Sequence, residues 1–223
     1  MIIKNSDGML KTRYILKFFI IAILFIVPHS LFSQEHYLGV KGGYGISSAS
    51  FDPYMGDGKS VSGIDYGIAY KLYAGKRTNM GIGTQVEFNF TQTGYQLVDT
   101  IFTGRAVELP AMAQGFLRFG GFRMFVDAGV FISYVTSLDV EKPDGLGNTH
   151  TEAYSFTERD KKFDYGILGG GGLAFQLKKV ELQVEARYQF GFGYMMKPRY
   201  KEEPTIFSHR SRLAFAFTLF YNL

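Results

Sequence analysis

The stretch VELQVEARYQFGFGY, residues 180–194, decides the fold. Its even-numbered residues, from Val180 to Tyr194, are all apolar or aromatic, whereas its odd-numbered residues are charged, amide or glycine. Because successive side chains of a β-strand point to opposite faces, this period of two predicts a strand. The apolar face is too long and bulky for the half-buried side of a soluble strand, and the other face suits a narrow polar interior. The stretch therefore indicates one strand of a membrane-spanning barrel.

Seven other segments show the same alternation and are predicted to be strands. They are residues 36–47, 61–74, 80–95, 107–119, 122–135, 163–177 and 210–223. Pro110 lies within the fourth of these segments, and proline cannot donate a hydrogen bond to a sheet ladder, so we expect a bulge or an irregular start there. Together with residues 180–194, these segments make eight strands.

The connections between the segments are alternately long and short. Short turns are predicted at 75–79, 120–121 and 178–179, and external loops at 96–106 and, longest of all, at 136–162. Outer-membrane barrels have short periplasmic turns and long external loops, and an even number of strands brings both termini to the periplasmic side. The sequence thus predicts an all-β protein, an eight-stranded antiparallel up-and-down transmembrane β-barrel of OmpA or OmpX size. The segments exceed the roughly 9 to 11 residues needed to cross a membrane, so we expect the sheet to project beyond it.

A soluble eight-stranded barrel of the lipocalin kind would alternate in the same way, with its apolar face lining a ligand cavity. Two features favour the membrane barrel. The polar face is rich in glycine, including Gly170 and Gly172 of the run GGGG at 169–172, and glycine weakens a wet strand but leaves room in a crowded lumen. The aromatic residues of 180–194 and 210–223 would overfill so small an interior. The apolar face is therefore expected to contact lipid.

The N-terminal residues have the features of a secretory signal peptide. A basic region is followed by the apolar run 18–27, which at about 10 residues is too short to span a membrane, and then by small and polar residues. We expect cleavage after Ser33, so that residues 1–33 are the signal peptide and residues 34–223 the barrel domain. The leader holds four of the 24 Lys and Arg and one of the 20 Asp and Glu, which leaves a nearly neutral mature chain. A nucleic-acid partner is therefore not indicated.

Eight strands enclose an interior that side chains just fill. The inward positions carry a nearly balanced set of charges. The acids are Asp65, Glu87, Glu108, Asp127, Asp164, Glu181 and Glu185, and the bases are Lys41, Lys71, Arg118, Arg123, Arg187 and Arg212. Unpaired charge in a dry lumen is costly, so we expect these residues to form a salt-bridged structural plug rather than a channel.

An outer-membrane enzyme is the main alternative class. Its chemistry would need a nucleophile or water, a base and an orienting group close together. Beyond the leader the chain has three histidines, at 36, 150 and 209. His209 lies near Ser208, Ser211 and the acidic pair 202–203, which could form a catalytic group, but a solvated surface histidine is the ordinary expectation for such positions. No catalytic residue, metal site or cofactor is therefore predicted.

Several phrases of the sequence resemble those of the outer-membrane β-barrel proteins of the Bacteroidota that are labelled the PorT family. The phrases are YLGVKGGYG (37–45), VELPAMAQGFLRFG (107–120), FVDAGVFISY (125–134), FDYGILGGGGLAF (163–175), VEARYQFGFG (184–193) and the closing LAFAFTLFYNL. The resemblance covers nearly the whole chain after the leader. It implies the fold, export by a signal peptide and a place in the outer membrane of a Gram-negative cell. Barrels of this type usually end on an aromatic residue, whereas this chain ends on Leu223.

The sequence predicts a non-enzymatic outer-membrane protein with a structural or interaction role through its long external loops. The expected partners are outer-membrane lipid, the barrel-insertion machinery during assembly, and an envelope protein bound through the loops. The alternatives are a small pore or a subunit of an outer-membrane assembly or secretion complex. An outer-membrane hydrolase ranks below both.

Overall fold

The computed structural model of the chain describes residues 34–52, 59–74, 79–97, 100–143, 149–157, 160–195 and 207–223. The predicted signal peptide lies outside these residues. The described residues form nine strands, which are β1 (Gln34–Asp52), β2 (Lys59–Ala74), β3 (Met80–Leu97), β4 (Thr100–Phe119), β5 (Phe122–Pro143), β6 (Thr149–Ala153), β7 (Phe163–Leu177), β8 (Val180–Gly191) and β9 (Phe207–Asn222). No α-helix of membrane-spanning length and hydrophobicity occurs in this described part of the chain.

Eight of the strands close into a ring. The order in the sheet is β4-β3-β2-β1-β9-β8-β7-β5-β6, and a further pairing of β4 with β5 joins the two sides. The strand β6 pairs only with the far part of β5, at residues 139–143, and stands outside the ring. The prediction of an eight-stranded antiparallel barrel is therefore confirmed, and β6 is an addition that the sequence pattern did not indicate.

The two ends of the barrel differ. One end, called here the turn end, carries the two-residue turns 120–121 and 178–179, and the amide of Leu223 donates to the carbonyl of His36 there at 2.9 Å. Gly120 and Lys178 have φ values of 60° and 54°, the left-handed conformation that a two-residue hairpin turn requires. The opposite end is called the loop end.

The strands differ from the predicted segments mainly at the loop end. The predicted loop at 96–106 is wrong, because β3 runs to Leu97 and β4 begins at Thr100. The predicted loop at 136–162 is largely wrong as well, because β5 continues to Pro143 and pairs with β6. At the turn end the agreement is close, and β7 has the bounds predicted for it. The strand β8 ends at Gly191, three residues before the end of the predicted segment.

Pro110 lies inside a regular strand, and the bulge expected there is absent. It faces Phe131 of β5 in continuous register, and its side chain is buried. Proline has no backbone N–H to donate, and the ladder between β3 and β4 is interrupted at this point. Val86 pairs with Ala111 and Asn89 pairs with Glu108, but the residues between these two pairs are unpaired. The register shift in β4 occurs instead between Arg105 and Ala106.

The apolar residues face outward and the charged residues face the barrel axis. In β8 the side chain of Val184 is 57 % exposed, while the neighbouring Gln183 is fully buried and Glu185 is 2 % exposed. The outward apolar side chains of β3 run from Met80 to Phe90, which matches the span of about 9 to 11 residues that crosses a membrane.

The outward face turns polar toward the loop end. Gln92, Arg105 and Thr136 follow the last outward apolar residues of β3, β4 and β5, and Gln92 pairs with Arg105 across the ladder. Beyond this level the sheet continues as a structure that we call the outer extension. It consists of residues 91–97 of β3, 100–106 of β4, 135–143 of β5 and the strand β6.

Candidate functional site

The lumen holds all thirteen charged residues that the alternation placed there. Twelve of them are buried, and the side chain of Arg118 is 21 % exposed at the turn end. Because the lumen is the part of the molecule where polar groups are concentrated and shielded from water, it is the first candidate for a functional site.

Four of these charges form a closed group in the middle of the lumen. Lys41 of β1 lies 2.9 Å from Glu87 of β3 and 2.5 Å from Glu185 of β8. Arg187 lies 3.0 Å from Glu87 and 2.8 Å from Glu185. Two bases and two acids therefore neutralise one another. Since β3 and β8 are opposite strands of the ring, the contact of Arg187 with Glu87 bridges the full width of the lumen.

Amide side chains complete the bonding of this central group. Gln85 donates to Glu87 at 2.6 Å, Asn89 donates to Glu87 at 2.7 Å, and Gln183 donates to Glu185 at 2.8 Å. Buried carboxylates tolerate a dry environment only when such bonds occupy their lone pairs. The amides are as much a part of the group as the charges.

A second group of charges fills the lumen near the turn end. Glu181 contacts both Lys71 and Arg123, and Arg123 also lies 2.9 Å from Glu35. The cations pack against buried aromatic rings. The ammonium of Lys71 is 3.9 Å from the centroid of the Phe220 ring, and other rings of this cluster are those of Tyr37, Tyr73, Phe116 and Phe125. Aromatic faces attract cations, so this cluster closes the turn end with both ion pairs and cation–π contacts.

Charges in the half of the lumen toward the loop end are paired less completely. Asp65 contacts Arg212, and Glu108 accepts a hydrogen bond from Gln189 at 2.7 Å. Asp164 accepts from the amide of Gly193 at 3.0 Å. Neither carboxylate oxygen of Asp127 has a hydrogen-bond partner among the described residues. The plug is therefore tightest at its centre and turn end.

Little free volume remains between these groups. A cavity of about 10 Å³ in the polar lumen, bordered by Thr91, Glu108 and Gln189, has room for about one water molecule. Gly170 and Gly172 make this filling possible. A Cβ at Gly172 would lie 2.9 Å from Cζ of Phe125, and one at Gly170 would lie 3.0 Å from Cα of Arg187.

A larger cavity lies on the barrel axis at the loop end. It has a volume of about 200 Å³ and is lined chiefly by aromatic side chains, with Arg210 at the boundary to the lumen. Tyr95 and Phe102 stack in its wall with ring centroids 4.8 Å apart. Burial raises the pKa of the Tyr95 hydroxyl to about 12.

The residues considered for catalysis form no catalytic group among the described residues, and the hydroxyl of Ser211 is hydrogen-bonded with that of Ser48 at 2.8 Å. Ser208 points into the barrel and is fully buried, whereas His209 is on the outward face, with its ring 5.8 Å from that of Phe190. The acidic pair 202–203 lies outside the described residues. His36 bonds to the hydroxyl of Tyr70 at 2.6 Å, at the other end of the barrel. Within the described ranges, no three His, Asp or Glu side chains form a group that could hold a metal ion.

Two functional residues of the lumen escaped the sequence pattern. Glu35 contacts Arg123 but precedes the first predicted strand, so no alternation marked it. Arg210 opened the last predicted strand and was not counted among the inward charges. The inward position of Phe220 could have been found from the sequence. It lies between the outward residues Leu219 and Tyr221, so the alternation places this aromatic ring in the lumen.

Comparison with known proteins identifies the family and the type of fold. The family model described as "Outer membrane protein beta-barrel domain" matches residues 32–196. Among curated proteins, no sequence matches.

Several solved outer-membrane barrels are similar in structure. OprG from Pseudomonas aeruginosa is 11 % identical, covers 86 % of this chain and 97 % of its own, and has a TM-score of 0.48. Neisserial surface protein A is 14 % identical, with coverage of 81 % and 95 % and a TM-score of 0.44. The outer membrane protease OmpT from Escherichia coli is 7 % identical, with coverage of 85 % and 96 % and a TM-score of 0.38.

Proposed function

Because this chain belongs to the outer membrane protein beta-barrel domain family, we propose that it is a non-conducting, non-enzymatic barrel that presents its outer extension to the medium. In this proposal the apolar outward face contacts outer-membrane lipid, and the barrel-insertion machinery assembles the chain after export by the predicted signal peptide. An envelope protein or a ligand would then bind at the loop end.

The observation that carries the proposal is the bridging of the lumen by ion pairs. Arg187 and Glu87 come from opposite strands and are 3.0 Å apart, which leaves no path for a hydrated ion between them. Opening such a path would separate buried charges, at a cost of about 3 to 5 kcal/mol for a broken pair. The closed arrangement is therefore the stable one.

Conductance in a planar bilayer tests the plug. We expect the refolded protein to insert without producing conductance steps. A variant in which Lys41, Glu87 and Arg187 are all replaced by alanine is the positive control, because it empties the middle of the lumen, and it should conduct. Regular steps from the unaltered protein would favour the small pore instead.

Surface labelling tests which end faces the medium. The chain has no cysteine, so labelling of a single introduced cysteine shows whether that residue is accessible from the medium. In intact cells, Thr151→Cys in β6 should react with a membrane-impermeant maleimide, whereas Lys179→Cys at the turn end should react only after lysis. The reverse pattern would invert the proposed orientation.

We propose further that the chain is a PorT-like barrel of a Bacteroidota outer membrane, with the phrases quoted above as support. A subunit of an assembly or secretion complex is the alternative role within such an envelope. Purification from native membranes separates the two, since a free-standing barrel should bring down no protein in a fixed ratio and a subunit should bring down its neighbours.

A further inference from the structure

The cavity at the loop end is an open cup lined chiefly by aromatic side chains. Its walls come from five strands of the ring (β1, β3, β4, β5 and β9), from the segment that follows β6 and from Met195 after β8. The principal lining residues are Phe51, Tyr95, Phe102, Tyr154 and Phe156, with Arg210 beneath them. All five aromatic side chains are only half-buried, so each keeps apolar surface that a ligand could cover.

The walls of the cup are held in position by contacts of their own. The edge of the Phe51 ring meets Tyr95 at a centroid distance of 5.8 Å, and the ring of Phe102 stacks on the opposite side at an interplanar angle of 14°. The amide of Tyr154 donates to the carbonyl of Leu138 at 2.8 Å, which ties the segment after β6 to β5. The cup therefore exists before any ligand binds, and little ordering cost opposes binding.

The charged residues that the structure describes at the cup are two cations and one carboxylate. Arg210 has no hydrogen bond within the described residues, and its nearest acid is Asp164, with Nη1 to Oδ2 at 4.0 Å. Lys161 also lines the cup. Asp160, the one acid among the described lining residues, already accepts bonds from the amide and hydroxyl of Thr157 at 2.7 and 2.9 Å. The guanidinium of Arg210, with several free donors, is the group that an anion would meet.

We infer that this cup binds a small organic anion, with a flat apolar ring between the aromatic walls and a carboxylate or similar group on Arg210. The closed lumen below makes the cup a blind pocket, which suits binding rather than passage. The inference deepens the proposed function and rests on it only for the statement that the cup faces the medium. A cationic ligand in an aromatic cage is disfavoured, because Arg210 and Lys161 would repel it.

Indole compounds provide a direct test, because the protein has no tryptophan, and indole excited at wavelengths beyond tyrosine absorption is then seen without emission from this protein. The refolded protein is placed in nanodiscs of zwitterionic lipid, and its affinity is measured for indole-3-acetate and for tryptamine. The two probes have the same indole ring and opposite charges. Empty nanodiscs correct for partition into lipid. We expect the anion to bind at least tenfold more tightly than the cation.

Matched variants locate the binding. Arg210→Gln should remove the preference for the anion, a loss of about tenfold or more, as expected for a bond to a charged group. Arg105→Gln is the control, because Arg105 is exposed on the outward face and does not line the cup. Phe102→Ala should weaken the binding of both probes. Each variant is checked for folding by gel electrophoresis of unheated and heated samples, because a folded barrel loses mobility when heating unfolds it.

Three results would overturn the inference: equal affinity for the two probes, no binding of either probe, or a preference that survives Arg210→Gln. The outcome is separable from that of the conductance experiment. If the barrel conducts but still binds indole-3-acetate through Arg210, the proposed plug is contradicted and the proposed binding site is supported. If the barrel does not conduct and binds neither probe, only the binding site is contradicted.

Discussion

Replacing Glu87 by glutamine should destabilise the barrel by several kcal/mol, because Glu87 joins two buried cations. Glu87 accepts from Lys41 at 2.9 Å and from both terminal nitrogens of Arg187 at 3.0 and 3.1 Å. Its neutralisation leaves two buried cations in ion-pair contact with a single carboxylate among the described residues, that of Glu185. Removing one partner of a buried ion pair costs about 3 to 5 kcal/mol, so we expect Glu87→Gln to lower the free energy of unfolding by that amount.

Glu108→Gln is the matched control for this experiment. Glu108 is a buried glutamate on the neighbouring strand, and the pair Asn89–Glu108 places it within two residues of Glu87 along the ladder. Its bond in the described residues comes from the amide of Gln189, so its neutralisation leaves no cation unpaired. We expect a change of about 1 kcal/mol or less.

Urea titration of the protein refolded in lipid vesicles measures both changes. A double variant, Lys41→Met with Glu87→Gln, should recover about 1 to 3 kcal/mol, because Arg187 and Glu185 then remain as a balanced pair. The reasoning would be refuted if Glu87→Gln and Glu108→Gln cost the same, or if removing Lys41 made the Glu87 variant less stable still.

Three further predictions concern the barrel wall, and unfolding free energies in vesicles check each of them. Val184→Arg on the outward face should cost about 2 to 4 kcal/mol, and Met80→Arg near the turn end about 0 to 1 kcal/mol; equal costs would count against the position assigned to the membrane. Gly172→Ala should cost about 1 to 3 kcal/mol because its methyl group would collide with the backbone carbonyl oxygen of Val184 and would also meet Phe125 at 2.9 Å. A Cβ at Gly169 meets nothing closer than 3.7 Å, so Gly169→Ala should leave the free energy of unfolding unchanged or raise it. A lower free energy of unfolding for this variant would contradict the explanation by steric crowding. Lys178→Gly should stabilise the barrel by about 1 kcal/mol, because φ is 54° at that residue, and a destabilised variant would show that the turn is not strained.

The membrane-level part of the fold could be predicted from sequence because one physical constraint governs it. Each strand between the two membrane edges must be apolar on one face, so alternation marked β7 at its observed bounds and placed Gln183 and Val184 on opposite faces. Beyond Phe90 and Tyr134 that constraint ends. Both faces of the outer extension are partly polar, so residues 136–143 looked like loop although they form part of β5.

The pairing within the lumen could not be predicted in the same way. Alternation shows that Lys41 faces inward but says nothing about its partner, because Glu87 and Glu185 lie on strands that are not its neighbours in the ring. Those contacts depend on how far each strand is staggered against the next. The cup at the loop end was equally hidden, because its aromatic residues come from segments assigned to loops and from strand ends.

The central claim is that the apolar face of the strands contacts lipid and the charged face lines the axis. Tryptophan placed at two adjacent positions of β5 tests it most directly, since the chain has none of its own. In bilayers of brominated lipid, Ile132→Trp on the exposed face should be strongly quenched, and Phe131→Trp, at a site that is 6 % exposed, should be quenched weakly. Strong quenching of Phe131→Trp with a protected Ile132→Trp would contradict the account.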